Sequence, residues 1–235
     1  MTESADPTDR IAHLEADNAR LRRLLDASGQ TDGLRHGLRD TIAMLRAVLR
    51  RSATSAVDLD GYVAHLEGRL DAIGRARSTL GTFGEADLHS LVSDELLFHL
   101  VREGDRAAIS GPTVRLRPRP AQTLALALHE LASNAIEHGT LGEPGGRVAV
   151  AWSVAVEGAG PVVTLVWKEV GGTGLREPER RGFGREVLER TLCDDLGART
   201  ALAFEPDGLR CTLRFPLDAQ RGRLVDAIAP EAGTP

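Results

Sequence analysis

Glu130 and Asn134 lie four residues apart, just after an apolar segment that runs from Ala121 to Leu128. If this segment is helical, the two side chains project from the same face, one turn apart. Such a carboxylate and carboxamide offer oxygen ligands to Mg²⁺, which keeps several waters and binds few protein groups together with substrate phosphates. The same spacing is also typical of a solvated polar stripe on an amphipathic helix. The pair alone therefore does not identify a magnesium site.

Two glycine-containing segments follow this pair along the chain. The segment Trp167-Lys168-Glu169 precedes Gly171 and Gly172, and in a β-strand it would place Trp167 and Glu169 on one side of the sheet. The segment Gly182-Phe183-Gly184 precedes a helical stretch, where free backbone N–H groups and the positive end of the helix dipole suit phosphate oxygens. The second segment could therefore hold a phosphate group.

Composition narrows the class of protein. A length of 235 residues predicts one or two domains, and 42% hydrophobic residues suffice for a packed core. A net charge of −5 argues against a nucleic-acid-binding protein, which would carry a basic face. No apolar stretch approaches the roughly 20 residues that cross a bilayer, and the N-terminus does not resemble a signal peptide. We therefore expect a cytoplasmic protein without a membrane span.

Residues 1–30 form the first predicted segment, a short coiled coil. Between Ile11 and Leu25 apolar residues recur three and four residues apart, and Asn18 occupies a core-type position. A buried Asn at such a position favours a two-stranded, parallel coil of fixed register. An ordinary amphipathic helix that packs on its own domain remains the alternative.

Residues 31–84 form the second predicted segment, a pair of antiparallel helices. Each helix has one apolar stripe, composed of Leu38, Ile42, Leu45 and Leu49 in the first and of Tyr62, Leu66, Leu70 and Ile73 in the second. Two helices of this kind cannot form a stable core alone, whereas two copies of the pair make a four-helix bundle. The pattern predicts a homodimer.

Residues 85–218 alternate between helical and strand-like patterns, and residues 219–235 are predicted to form a tail with a short helix from Gln220. The predicted helices are Ala86–Leu100, Ala121–His138 and Arg185–Leu196. The predicted strands are Ala107–Ser110, Thr113–Leu116, Arg147–Val156 and Val162–Val166, followed by a hairpin over Arg199–Phe215. The fold class is therefore α+β.

From about Leu34 to Leu217, these motifs occur in the order and spacing of the HWE family of histidine kinases, which the chain resembles. His129 is similar to the family's His, and the segment from Trp167 to Glu169 is similar to its Trp-x-Glu. The family lies within the GHKL superfamily of ATPases. The resemblance implies a dimerisation and phosphotransfer hairpin followed by an α/β-sandwich ATP-binding domain of the Bergerat type.

The resemblance also implies roles for individual residues. His36 would be the phosphoacceptor, and Glu130 would accept its proton or orient it. Independently of the resemblance, Asp40 lies one helical turn from His36, so its carboxylate could accept the ring N–H and orient the other nitrogen. Glu130 and Asn134 would bind Mg²⁺. The residues expected around ATP come from the helix that carries Glu130 and from the two glycine-containing segments. They are His129, Asn134, Trp167, Glu169, Gly171, Gly172, Gly182, Phe183 and Gly184. Glu169 would accept the amino proton of adenine, and Trp167 would mainly pack beside it.

Several of these assignments have alternatives. His36 could be an ordinary surface histidine, and Glu169 could form a structural salt bridge. Gly37 and Asp40 depart from the family's His-Arg-x-Lys-Asn pattern, and Glu137 stands where the family usually has Lys. A carboxylate there would repel a triphosphate, unless an arginine of the segment 174–181 compensates (Arg176, Arg180 or Arg181).

The predicted function is that of an ATP- and Mg²⁺-dependent histidine kinase of a two-component system. It would phosphorylate His36 and pass the phosphoryl group to an Asp of a response-regulator receiver domain, and a separate sensor protein could signal through the N-terminal coil. The alternative is a dimeric adaptor that docks response regulators without binding ATP. An anti-sigma-type serine kinase shares the ATP-binding fold, but it lacks a helical hairpin like that of residues 31–84.

Overall fold

The computed structural model describes residues 39, 41–50, 52, 59–81, 84–158, 160–172 and 182–225. The chain divides into two compact units, Met1–Ala47 and Val48–Pro235. In the first unit, residues 41–47 are helical. The second unit contains the elements described below. The predicted coil, His36, Asp40 and the segment 173–181 lie outside the described residues.

Helices and strands alternate along the second unit. Its helices are α1 (Leu59–Ser78), α2 (Leu88–Phe98), α3 (Pro118–Glu137), α4 (Phe183–Glu186) and α5 (Leu192–Leu196). A 3₁₀ turn at Thr140–Gly142 follows α3, and a π turn at Val187–Thr191 joins α4 to α5. Its strands are β1 (Ala86–Asp87), β2 (Ala107–Ser110), β3 (Val114–Leu116), β4 (Arg147–Glu157), β5 (Gly160–Val170), β6 (Arg199–Glu205), β7 (Gly208–Pro216) and β8 (Gly222–Leu224).

The larger sheet has the strand order β2-β4-β5-β7-β6, in which β2 runs parallel to β4 and the other neighbours are antiparallel. Along β5, Val163, Leu165, Trp167 and Glu169 are buried, whereas the residues between them are more exposed. This alternation gives the sheet one buried face. The predicted placement of Trp167 and Glu169 on the same side is confirmed. A smaller antiparallel sheet has the order β1-β3-β8.

Helix α3 is the most deeply buried element. It begins at Pro118 and carries Pro120 in its first turn, where the missing backbone N–H groups cost no intrahelical hydrogen bond. The positions from Pro120 to Ala132 are all buried, as expected for a helix that is covered on every side. It packs against α1, α2 and α5, so its polar side chains must find their partners on these neighbours.

Helix α1 packs against α3 through side chains that recur three and four residues apart: Arg69, Ala72, Ile73 and Ala76. The apolar stripe predicted from the sequence shares only Ile73 with this set, and Leu66 and Leu70 are half-buried. The two alanines explain the difference, because small side chains let helices approach closely. The sequence prediction gave more weight to large apolar residues. The hairpin as a whole stays a prediction.

Several predicted element boundaries differ from the structure. The helix predicted from Ala86 begins at Leu88, because Ala86 and Asp87 pair with β3 instead. The Asp87 carboxylate then caps the helix by accepting a hydrogen bond from the Ser90 N–H at 3.1 Å. Strand β5 continues beyond Val166 to Val170, which brings Glu169 into the sheet.

The short helix predicted from Gln220 is wrong for residues 222–224, which form β8 and pair with β3. Three residues are too few to show a strand period in the sequence. Among the described residues, no helix is both long and apolar enough to cross a membrane.

Candidate functional site

A cleft of about 340 Å³ is formed by α1, α3, the start of α4 and the strands β6 and β7. Its volume lies in the lower part of the range of small-molecule sites, which is about 300–1,000 Å³. Its apolar walls come from Leu131, Phe183, Leu188, Leu202, Phe204 and Leu209. Its polar side chains include Arg69, Glu130, Asn134, Glu137 and Glu169. An apolar cleft with a few convergent polar groups is the usual form of a ligand site.

Glu130 forms a buried ion pair with Arg69 of α1. The Arg69 Nε donates to Glu130 Oε1 at 2.8 Å and Nη2 donates to Oε2 at 3.2 Å, and each side chain is 8% exposed. The Arg69 Nη1 donates to Ser52 Oγ at 2.8 Å, and the guanidinium lies 3.8 Å from the centre of the Phe183 ring. Each oxygen of Glu130 therefore accepts one hydrogen bond from Arg69 and keeps further acceptor capacity, and the residue lines the cleft.

Glu169 is 1% exposed, yet it lines the cleft. Its Oε2 accepts from the backbone N–H of Thr140 at 3.2 Å, and its Oε1 accepts from the Trp167 indole at 3.2 Å. Burial raises the pKa of the Glu169 carboxyl above its ordinary value, and these hydrogen bonds offset part of the rise. Glu169 is thus a buried acceptor that faces the cleft and carries no salt bridge to a described residue.

Asn134 and Glu137 lie at the exposed end of α3, on the rim of the cleft. The start of α4 lies close to this face, because a Cβ atom added to Gly184 would lie 3.1 Å from both Asn134 Nδ2 and Glu130 Oε2. Glu137 accepts a hydrogen bond from Ser133 Oγ at 2.7 Å, and its Oε1 is 3.9 Å from His65 Nδ1. The carboxylate of Glu137 is 41% exposed and faces the cleft.

Other residues predicted to bind the cofactor lie outside this cleft. Trp167 is fully buried in the core, and its indole supports Glu169. His129 points away from the cleft and contacts Glu95 of α2 at 2.8 Å. Gly171 has φ +99°, which favours glycine, and a Cβ atom on Gly172 would lie 2.5 Å from Thr140 Cγ2. The positive φ at Gly171 and the close contact at Gly172 therefore account for glycine at these positions.

The structure brings Glu130, Asn134, Glu169 and Gly182-Phe183-Gly184 together around one cleft. The sequence analysis missed the contribution of α1, above all Arg69. In the structure Arg69 lies on the same buried stripe as Ala72, Ile73 and Ala76, a stripe that the pattern of large apolar residues did not predict. A charged residue on a buried stripe predicts a buried partner of opposite charge.

The comparisons with known proteins agree with this picture. Residues 33–113 match the family model described as HWE histidine kinase. A blue-light-activated histidine kinase of Rhizobium johnstonii is 31% identical over 209 residues, which cover 88% of this chain and 56% of that protein. One of Brucella anthropi is 27% identical over 207 residues, covering 87% of this chain and 42% of that protein. The chain thus spans about half the length of these relatives.

Among solved structures, the blue-light activated histidine kinase of Erythrobacter litoralis matches with a TM-score of 0.55 at 16% identity, over 77% of this chain and 59% of that chain. Its isolated histidine kinase domain matches with a TM-score of 0.50 at 18% identity, over 77% of this chain and 85% of that chain. At these identities the likeness concerns the fold alone.

The mixed sheet and the helices packed beside it have the fold of histidine kinase ATP-binding domains. The chain belongs to the HWE family of histidine kinases.

The Arg69–Glu130 pair is expected to couple α1 energetically to α3. Arg69→Met should cost about 3 kcal/mol or more of unfolding free energy, because it leaves a buried carboxylate without its partner. The double variant Arg69→Met/Glu130→Gln should cost about 1–3 kcal/mol less than the sum of the single changes. Urea unfolding of the four proteins measures this coupling.

The control is the exposed pair Arg214–Glu157, whose side chains are 47% and 49% exposed and whose coupling should lie at about 0–1 kcal/mol. A coupling at Arg69–Glu130 no larger than that of the control would contradict the buried contact.

Proposed function

We propose that this protein is an ATP-dependent protein-histidine kinase, which phosphorylates His36 and passes the phosphoryl group to an Asp of a response-regulator receiver domain. The observation that carries the proposal is the buried Glu169 carboxylate, which faces a cleft bordered by the exposed Asn134 of α3. Family membership supports the same assignment. Since ATP is the phosphodonor, the reaction would take place in the cytoplasm.

Glu169 is suited to accept a hydrogen bond from the amino group of adenine. Its carboxylate is held in place by the Thr140 N–H and the Trp167 indole, so it needs no reorganisation when a donor arrives. The apolar side chains Leu202, Phe204 and Leu209 offer a surface for the purine ring. A buried site built to pair with an N–H group also discriminates against bases that lack it.

The rim of the cleft is suited to the phosphates and Mg²⁺. Asn134 offers a carboxamide oxygen, and the backbone around Gly182 and Gly184 lies close enough to provide N–H groups at the start of a helical segment. Mg²⁺ would neutralise charge on the phosphates during transfer. Glu130, which Arg69 holds in position, would assist either the metal or the proton of His36.

The proposed kinase would act as a homodimer that carries His36 and binds partner proteins. The described residues of the helical segments include exposed apolar side chains, namely Ile42 (41% exposed), Leu49 (42%), Leu59 (73%) and Val63 (42%). Such side chains suit a second copy of the chain, as a homodimeric four-helix bundle requires. The receiver domain and a separate sensor protein acting through residues 1–30 are the expected partners.

The direct test is transfer of phosphate from labelled ATP. In the presence of Mg²⁺ the full chain should gain acid-labile phosphate, and His36→Ala should abolish that gain because the acceptor nitrogen is lost. His89→Ala is the matched control, since His89 is an exposed histidine away from the cleft. A label that persists in His36→Ala, or no label at all in the unaltered chain, would overturn the proposal.

An adaptor without ATP binding is the second candidate function. Two observations favour it: the exposed Glu137 carboxylate lines the cleft proposed for the nucleotide, and Glu130 is paired with Arg69. Such an adaptor would dock receiver domains through the same fold. A titration with ATP and Mg²⁺ distinguishes the two, because the kinase binds the nucleotide and the adaptor does not.

Glu137 is expected to weaken nucleotide binding without preventing it. Glu137→Gln should tighten the Kd for ATP with Mg²⁺ about fivefold, because a charge at ~7 Å from a phosphate costs about 1 kcal/mol in a well-solvated rim. Calorimetric titration measures the change. Glu143→Gln serves as the control, since Glu143 is exposed and lies outside the cleft. An unchanged Kd in Glu137→Gln would show that this carboxylate lies away from the phosphates.

A further inference from the structure

A second polar cluster lies outside the residues that line the cleft. It contains Glu95 in the last turn of α2, His99 at the end of that helix and His129 of α3. His129 Nδ1 lies 2.8 Å from Glu95 Oε1, and His99 Nε2 lies 3.2 Å from the same oxygen. The three side chains are 3%, 13% and 6% exposed, in that order. Two imidazole nitrogens therefore converge on one carboxylate oxygen in the interior.

This convergence leaves one ring nitrogen without a hydrogen bond. His99 Nε2 is buried and has no hydrogen-bond partner among the described residues, since its approach to Glu95 is close but poorly directed. An unsatisfied buried nitrogen costs about 1–3 kcal/mol. The two rings stack with centroids 5.3 Å apart and planes 30° apart. His99 Nε2 and His129 Nδ1 are thus placed to contact one common atom rather than to hydrogen-bond each other.

The geometry fits a metal ion as that third atom. One nitrogen from each histidine and one oxygen of Glu95 all lie within 4.8 Å of one another. Glu95 and His99 are four residues apart, so they project from one face of the end of α2. Two histidines and one glutamate form a ligand set that zinc enzymes use with a water in the fourth position. His99 is the most exposed of the three, with 13% of its side chain accessible.

One cationic side chain also lies at the cluster. Arg75 Nη2 binds the other oxygen of Glu95, Oε2, at 2.6 Å, and so leaves Oε1 to the histidines. An imidazole-rich set favours Zn²⁺ and related transition metals over Mg²⁺.

We propose that Glu95, His99 and His129 bind a divalent transition metal ion, with Zn²⁺ as the first choice. The ion would join the end of α2 to the middle of α3, next to Glu130. The site is independent of the nucleotide cleft, so it stands whether or not the chain is a kinase.

The test uses the full chain without an affinity tag. After treatment with a chelator, the chain is loaded with Zn²⁺, passed over a desalting column and analysed for bound metal. In parallel, Co²⁺ is titrated and its visible absorption is recorded, because nitrogen ligands in a four- or five-coordinate site give intense bands. We expect one zinc ion per chain, and a Co²⁺ spectrum that Zn²⁺ abolishes by displacement.

His99→Ala should weaken the Kd for both ions more than about tenfold, since even outer-shell partners of metal ligands are worth 10–100-fold. Circular dichroism of the metal-free variant checks its fold, and His99→Gln provides a second variant of similar size. His89→Ala is the matched control, because His89 also contacts a glutamate, Glu103, at 3.3 Å, but at the surface. The proposal is overturned if the unaltered chain retains no metal, if folded His99 variants retain it equally, or if His89→Ala loses it as well.

Discussion

Helix α3 carries charged and polar side chains through the interior, and the rest of the structure depends on how they are satisfied. Glu130 and His129 are 6% and 5% exposed, and a buried group of this kind is stable only with a partner. Arg69 of α1 supplies the partner of Glu130 from 61 residues away, and Glu95 of α2 supplies that of His129 from 34 residues away. These two contacts help to fix where α1 and α2 lie against α3.

Helix α3 therefore carries residues of two neighbouring polar groups. The cleft combines the buried acceptor Glu169 with the exposed Asn134, and Glu130 is paired with Arg69 there. His129 forms a cluster with Glu95 and His99 outside the residues that line the cleft. Because His129 and Glu130 are adjacent in the sequence, their partners from α2 and α1 meet at the same turn of α3.

Much of the cleft could be predicted from the sequence, whereas its partners across the chain could not. The strand pattern placed Trp167 and Glu169 on one face, and helix periodicity placed Glu130 one turn from Asn134, as the structure has them. These are local properties with a fixed period. Arg69 and Glu95 come from distant segments, and local periodicity does not report which helices meet. Leu202 and Phe204 of β6 were missed for the same reason, since they reach the cleft only through sheet pairing.

The central claim is that Glu169 lies in a nucleotide site, and the two tryptophans of the chain allow a direct test by NMR. The Trp167 indole N–H donates to Glu169, whereas the Trp152 indole N–H donates to Pro112 O at 2.8 Å and serves as an internal reference. The two indole N–H signals of a ¹⁵N-labelled chain are assigned with the variant Trp152→Phe. A non-hydrolysable ATP analogue with Mg²⁺ should then shift the Trp167 signal saturably and leave the Trp152 signal in place. If the Trp167 signal does not move at saturating nucleotide, or both signals move alike, Glu169 does not bind the base.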